Sequence, residues 1–370
     1  MENTENTNNI RVGISHGDFN GIGYEVIIKA LLDSRMNEIC TPIVYGSSKI
    51  ASYHRKTLTI NDFSFNLVKK ASMANIKRPN IINCYDKEVK IELGKSSSEA
   101  GHFAFLSLEC IIEDLKLNNV DVLVTAPINK KNIQSDKFSF PGHTEYLAKK
   151  FNTENYLMLM VNESIRIGVA TGHIALKDVP SQLTTELIMQ KLRIMNSSLK
   201  MDFGIRKPKI ALLGLNPHSG DGGIIGKEEK EIIIPAINKA FDENILAFGP
   251  FPADGFFGSS KFKEFDAILA MYHDQGLIPF KTLSFSNGVN FTAGLPIVRT
   301  SPGHGTAYEI AGKNMASPDS FRSAIYLACD IFKNRKEYKE LTKNTLAVNA
   351  HLNDNGVDET LEDTNMDEAI

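Results

Sequence analysis

The sequence contains no C-x-x-C pair, and its four cysteines, Cys40, Cys84, Cys110 and Cys329, are widely spaced. That excludes a zinc knuckle or a dithiol redox motif and fits a reducing compartment. No apolar run approaches the roughly 20 residues that a membrane helix requires. The opening residues, MENTENTNNI, have neither a basic n-region nor an apolar h-region, so no signal peptide is expected and the cytoplasm is the expected location. Charge of one sign is not in large excess. The formal net charge is -3, yet residues 351–370 alone hold seven acidic side chains and no Lys or Arg. Without those seven the remainder stands near +4, which gives no reason to expect nucleic acid as a partner but leaves room for a local basic pocket for a phosphate. The acidic tail, residues 346–370, reads as solvated and disordered. No internal repeat of fixed period occurs, which sets solenoids and propellers aside. Neither G-x-G-x-x-G nor a complete G-x-x-x-x-G-K-[ST] is present, so neither a Rossmann fingerprint nor a P-loop is supported.

What is present describes an ordinary folded chain. At 370 residues it exceeds one typical domain, and two domains with a cleft between them is the starting expectation. Runs rich in Val, Ile and Leu alternate with longer amphipathic stretches, at Ile10 to Ser15, Pro42 to Tyr45, Val120 to Thr125, Tyr156 to Val161, Lys209 to Leu215 and Asp266 to Met271. They read as buried strands between helices, an α/β architecture whose ligands gather beyond the carboxyl ends of the strands. A crossover between domains is expected between Ala126 and Glu145.

Several polar clusters fall in that position. His173 in ATGHIAL, His218 in GLNPHSGDGG and His273 in AMYHDQGL each follow a strand-like run. Neutral imidazole is the commonest side-chain metal ligand, and three such ligands leave an open position for substrate. On residues alone, three unrelated loop histidines remain the alternative. The segment Asn216 to Gly223 packs turn formers and three glycines after a strand, so backbone N–H groups there can face an anion, or the segment is a surface loop. The turn His16 to Gly23 joins a strand to the helix-like Tyr24 to Leu32 and reads as structural rather than as a dinucleotide cradle. Lys281, Asn290 and Arg299, with Thr300 and Ser301, supply the donors that a phosphate requires. Arg299 closes the apolar, strand-like run Gly294 to Val298. Finally, Gly303 to Lys313 is a glycine-bounded loop entering a short helix. It resembles the adenosine-contacting loop of isocitrate and isopropylmalate dehydrogenases, enzymes that bind nicotinamide coenzymes without the Rossmann fingerprint.

Taken in order, GDFNGIG, TAPINK, FPGHTEYLA, TGHIAL, GLNPHSGDGGIIGKEE, GPFPADGFF, DAILAMYHDQGLIPFK, VNFTAGLPIVRTS and HGTAYEIAGK resemble the 4-hydroxythreonine-4-phosphate dehydrogenase family from about residue 10 to about residue 335. The resemblance implies an α/β, two-domain fold like that of isocitrate and isopropylmalate dehydrogenases, with the active site in the interdomain cleft. Residues 10–135 with 300–345 would form the cofactor-side domain, and residues 136–299 the domain on the metal, substrate and dimer side. It further implies a homodimer whose subunits complete each other's sites, and one divalent cation per site (zinc, magnesium, cobalt or manganese) held by His173, His218 and His273 from both chains. His143, Thr144, Lys281, Asn290 and Arg299 would bind a small phosphorylated substrate, with Asp254 also beside it. Gly305, Thr306 and Ala307 would contact NAD or NADP, and proton removal would fall to Lys281 or to a water held by Asp254. The implied reaction oxidises the 3-hydroxyl of 4-phosphooxy-L-threonine to a β-keto acid that loses carbon dioxide, a step of pyridoxal phosphate biosynthesis.

The chain departs from the family pattern at two points. Phe19-Asn20 replace the usual Pro-Ala of the first turn, and Gly303 stands where an acidic residue precedes HGTA. Two rival readings stay open: a dehydrogenase of four-carbon sugar-acid phosphates such as threonate or erythronate 4-phosphate, and a non-catalytic phosphometabolite-binding protein. The amino or hydroxyl group at C2, the native metal, the coenzyme preference and the role of the tail are not legible in the residues.

Overall fold

The computed structural model describes residues 9–284 and 286–343. The acidic tail expected at 346–370 lies outside the described residues. Twelve strands form one sheet: β1 (Ile10–Ser15), β2 (Cys40–Gly46), β3 (Asn66–Leu67), β4 (Asn80–Asn83), β5 (Val122–Thr125), β6 (Leu157–Val161), β7 (Arg166–Val169), β8 (Lys209–Leu213), β9 (Leu246–Phe251), β10 (Ala267–Ala270), β11 (Val289–Ala293) and β12 (Arg299–Pro302). Their spatial order is β3-β4-β2-β1-β5-β12-β11-β6-β7-β10-β8-β9. All six strands expected from the apolar runs are present, and the α/β class is borne out. Of the remaining six, five are short or interrupted by polar residues, and β9 is broken by Gly249-Pro250, so their strand signal is weak.

Pairing is parallel from β3 through β12 and again from β7 through β9, with antiparallel pairs between β12 and β11, β11 and β6, and β6 and β7. Parallel strands are buried on both faces. This explains the largely apolar β2, β5 and β10, every residue of which is buried. One apolar cluster runs through both halves of the sheet, from Val12 and Val124 to Leu159, Leu212 and Leu269.

The helix Asp319–Thr342 closes the seam between the two parallel runs. Its buried positions Phe321, Ala324, Ile325, Ala328, Ile331 and Arg335 recur at the three- and four-residue spacing of a single helical face. Thr300 Oγ1 donates to the Ala324 carbonyl at 2.7 Å. Arg335, itself buried, pairs with the fully buried Asp202 at 2.6 Å and also donates to the Leu295 carbonyl.

One expected strand is absent. Gly294 to Val298 is a turn joining β11 to β12 rather than a strand. Gly294 has φ +86, and a Cβ there would lie 2.2 Å from the Asn155 carbonyl oxygen, so the chain must turn at this point. Consequently Arg299 opens β12 instead of closing a strand before it.

The N-terminal turn is packing material, as expected. Gly17, at φ +65, brings its α-carbon so close to the next segment that a Cβ would lie 2.3 Å from the Pro127 carbonyl oxygen. Asp18 N–H donates to that same carbonyl, and Ile22 N–H donates to the Thr306 carbonyl. No helix among the described residues is long and apolar enough to cross a membrane.

Candidate active site

Loops leaving β5, β7, β10 and β12 wall a cavity of about 530 Å³. One helix, His273–Leu283, contributes three residues at four-residue intervals, His273, Leu277 and Lys281, so a single helical face lines it. Gln275 fixes the start of that helix: its Oε1 accepts from Met271 N–H and its Nε2 donates to the Gly214 carbonyl. His173 arrives from the neighbouring strand. Because β7 and β10 pair in parallel, their exits run side by side, with Ala170 N–H donating to the Ala270 carbonyl and Thr171 Oγ1 to the Met271 carbonyl. The His173 and His273 ring centroids are 5.3 Å apart.

Burial, then the charges of Lys130 and His273, lower the His173 pKa and favour the neutral imidazole that coordinates cations. His273 Nδ1 contacts the Asp274 carboxylate at 2.7 Å, the kind of outer contact that fixes a ligand's tautomer and leaves Nε2 free. This donor pair fits two positions around a divalent cation. Among the described residues no group of three His, Cys, Asp or Glu side chains gathers for one within the chain.

Opposite the imidazoles stands a wall suited to an anion. Arg299 is buried and makes only neutral contacts: Nη2 and Nε donate to Thr125 Oγ1 at 2.7 and 3.2 Å, Nη1 to Thr292 Oγ1 at 3.3 Å, and Nη2 to His143 Nδ1 at 3.2 Å. Among the described residues no carboxylate forms an ion pair with it, and the Glu145 charge only partly offsets its burial. Burial therefore pulls its pKa down to about 10. The same burial, with the Arg299 and Lys130 charges, holds His143 well below the usual histidine range, so its Nδ1 is an acceptor and its ring is neutral. Thr144 Oγ1 lies 3.3 Å from Thr292 Oγ1 and lines the cavity, as do Lys281 and Asn290. Asn290 Oδ1 is buried without a partner.

The loop after β12 forms a third wall. His304 Nδ1 faces the Gly305 carbonyl at 3.1 Å and so carries the proton, leaving Nε2 a buried acceptor without a partner. Gly305 lines the cavity, whereas Thr306 and Ala307 do not. Thr306 uses its carbonyl on Ile22, and Ala307 is in the left-handed conformation that turns the chain into Tyr308–Ile310. The buried Asp18 carboxylate anchors this loop, accepting from Tyr308 Oη and Asn132 Nδ2, both at 2.7 Å. Burial and that contact push the Tyr308 phenol up to about 12.

Two residues singled out from the sequence lie elsewhere in their own subunit. His218 is exposed on the turn Pro217–Gly223, where six consecutive residues, His218 to Gly223, have positive φ. A side chain in that region costs about 1–2 kcal/mol. Asn216 and the buried Glu229 hold the turn, with Asn216 N–H on Glu229 Oε1 at 2.7 Å and Asn216 Nδ2 on Glu228 Oε2 at 2.8 Å. Asp254 lines a separate groove with Asp274, Ile278 and Thr282, the opposite face of the helix that carries His273 and Lys281. A helix is about 10–12 Å across, so Asp254 does not reach the cavity on the other side.

Other residues at the cavity went unnoticed in the sequence. Lys130, Glu145, Lys191 and His304 line it, and Thr125 and Thr292 hold Arg299. All but Lys191 fall within the quoted motifs, Thr125 and Lys130 in TAPINK, Glu145 in GHTE, Thr292 in VNFTAG and His304 in HGTA, but no role was attached to them. They come from separate strands and loops that become neighbours only through sheet order.

Comparison with known proteins adds a family to this geometry. Residues 38–328 match the profile of the pyridoxal phosphate biosynthetic protein PdxA. A 4-hydroxythreonine-4-phosphate dehydrogenase of Bacteroides thetaiotaomicron is 53% identical over 92% of this chain and 93% of its own. A protein of Oceanobacillus iheyensis named as a D-threonate 4-phosphate dehydrogenase is 37% identical over 86% of this chain and 97% of its own. The crystal structure of a 4-hydroxythreonine-4-phosphate dehydrogenase from Klebsiella pneumoniae superposes with a TM-score of 0.77 at 31% identity, covering 89% of this chain and 99% of that one.

Proposed function

The chain belongs to the PdxA family of pyridoxal phosphate biosynthesis and is a dehydrogenase, and from that premise we propose that its cleft oxidises 4-phosphooxy-L-threonine at the 3-hydroxyl. The keto acid formed carries its carboxylate β to the new carbonyl and loses carbon dioxide, leaving 3-amino-2-oxopropyl phosphate. The observation that carries this reading is Arg299. A buried guanidinium whose hydrogen-bond partners among the described residues are hydroxyls and an imidazole is a cation that a ligand's charge can compensate. A dianionic phosphate supplies it.

His143, Thr144, Lys281 and Asn290 complete the substrate wall with Arg299. When bound, a divalent cation supplies Lewis acidity and a nicotinamide coenzyme, NAD or NADP, supplies the hydride acceptor. His173 and His273 hold two positions of that cation, and His218 of the partner subunit the third. Lys281 Nζ, on the same helical face as His273, would receive the hydroxyl proton in its neutral amine form, or a water held by the partner's Asp254 would receive it. The loop carrying His304 and Gly305, tied down by Asp18, faces the coenzyme.

A homodimer follows from the same assignment. Asp254 shares a groove with the exposed Ile278 and Leu283, and the turn of His218 leads into the exposed Ile224 and Ile225; apolar exposure of this kind marks association. In the dimer these surfaces bring His218 and Asp254 to the partner's cleft. The enzyme acts in the cytoplasm, and residues 10–135 with the described part of 300–345 form the coenzyme side of each subunit.

Similarity to the protein named as a D-threonate 4-phosphate dehydrogenase keeps a second substrate in view, with a hydroxyl at C2 in place of the amino group. Coenzyme reduction measured with each substrate decides between them. Preferential turnover of the amino acid phosphate is expected, and a strong preference for the sugar acid overturns the reading. No reduction with either substrate, in the presence of divalent cation and both coenzymes, indicates a binding protein instead.

A further inference from the structure

We propose that Glu145 selects the substrate's amino group and so sets the preference for an amino acid phosphate over a hydroxy acid phosphate; this rests on the substrate reading given above. Four basic side chains line the cavity, Lys130, Lys191, Lys281 and Arg299, and among the described lining residues Glu145 is the single carboxylate. It stands in the first turn of the helix His143–Lys150, directly after His143 and Thr144 on the anion wall. Its Oε2 lies over Gly142, beside the Lys130 stem: a Cβ built on Gly142 would be 3.5 Å from that oxygen and 3.7 Å from Lys130 Cε.

Among the described residues no side chain forms an ion pair with Glu145, although other surface and buried carboxylates of the chain do so. Glu145 lines the same cavity as Arg299 and His173, and its charge opposes the lowering of both their pKa values. The 4-phosphooxy-L-threonine molecule presents a phosphate, a carboxylate and an ammonium. The cations of the cavity complement the first two groups. The ammonium requires an anion, and a half-buried carboxylate without a protein partner gains a charge-assisted hydrogen bond when the ammonium arrives. A C2 hydroxyl brings no charge and gains far less from the same carboxylate.

The test compares wild type with Glu145→Gln, which keeps shape and an acceptor oxygen but removes the charge. Values of kcat/KM are measured for 4-phosphooxy-L-threonine and for its C2-hydroxy analogue, threonate 4-phosphate, with one coenzyme. A lost charge-assisted bond lowers kcat/KM for the amino substrate by about 10- to 100-fold, mainly through KM, while the hydroxy analogue changes less than about threefold. Glu145→Asp, which restores the charge one methylene short, recovers part of the preference. An equal loss on both substrates, or no loss on either, overturns the assignment while leaving the substrate reading intact. So does a change of the ratio in Asp254→Asn with none in Glu145→Gln, which transfers selection to the partner's Asp254. A wild type that itself prefers the hydroxy acid overturns the substrate reading, and this assignment falls with it.

Discussion

Replacing Arg299 by Met separates a cation kept for a ligand from one kept for the fold. The guanidinium is buried and bound to Thr125, Thr292 and His143 without any carboxylate, so in the free protein the charge is desolvated and only partly compensated. Exchanging a poorly compensated buried charge for an apolar side chain of similar length is neutral or stabilising by about 1–4 kcal/mol. Against this stand the hydrogen bonds given up by two hydroxyls and one imidazole, each about 1 kcal/mol. The two contributions nearly cancel. Stability is expected to stay within about 2 kcal/mol of wild type, a Tm shift of no more than several degrees. Binding is another matter. A charge-assisted hydrogen bond to phosphate contributes about 1.5–3 kcal/mol, and the accompanying attraction at about 4 Å adds about 4 kcal/mol before desolvation is subtracted. A net loss of about 3–5 kcal/mol corresponds to about 10²- to 10⁴-fold in kcat/KM. Thermal melts with and without substrate, together with initial rates of coenzyme reduction, read both quantities. Substrate at about 100 times its Kd stabilises wild type by about 2.7 kcal/mol, and this increment is expected to vanish in Arg299→Met. A variant that melts more than about 10 °C lower, or one that keeps kcat/KM within threefold, refutes the reasoning.

Two further outcomes follow from the same geometry. His218→Gly removes an imidazole from a left-handed position, so the variant is expected to be as stable as wild type or up to about 1 kcal/mol more stable, with turnover reduced at least about 100-fold. Mixing it with His173→Ala restores about a quarter of wild-type activity by random assortment if sites are shared between subunits, and the absence of recovery excludes sharing. For pH, burial lowers His16 to about 3 and His54 to about 4 and lowers His143 as well. These side chains stay neutral in the folded state while the unfolded chain takes up protons below its ordinary value near 6.5. Their stabilising contribution is thus complete above about pH 6.5 and lost as pH falls toward 4, by up to about 1.4 kcal/mol per pH unit for each ring. Urea unfolding at pH 7.5, 6 and 5 should show the decline, and His54→Gln should flatten it; constant stability across that range contradicts the burial argument.

Much of the sheet could be read from the residues because strands buried on both faces are dominated by apolar side chains, and β1, β2, β5, β6, β8 and β10 are. The turn at Gly294 was misread for the same reason in reverse: Leu295, Pro296, Ile297 and Val298 are apolar enough for a strand, but a left-handed glycine and a proline make them a turn. Apolarity reports burial, and burial alone does not distinguish extended chain from a packed turn.

By itself the sequence determined the α/β class, the main strands and the residue types of the cleft, because periodicity, turn chemistry and motif order are local properties of a chain. Only the tertiary structure decided which of those residues meet. The parallel pairing of β7 with β10 sets His173 beside His273, and the seam at β12 delivers Arg299 to Thr125, Thr292 and His143. The two faces of the helix His273–Leu283 turn Lys281 toward the cavity and Asp274 toward the groove that holds Asp254. Distance between side chains far apart in the chain depends on strand order and helical phase, and neither is written at any single position.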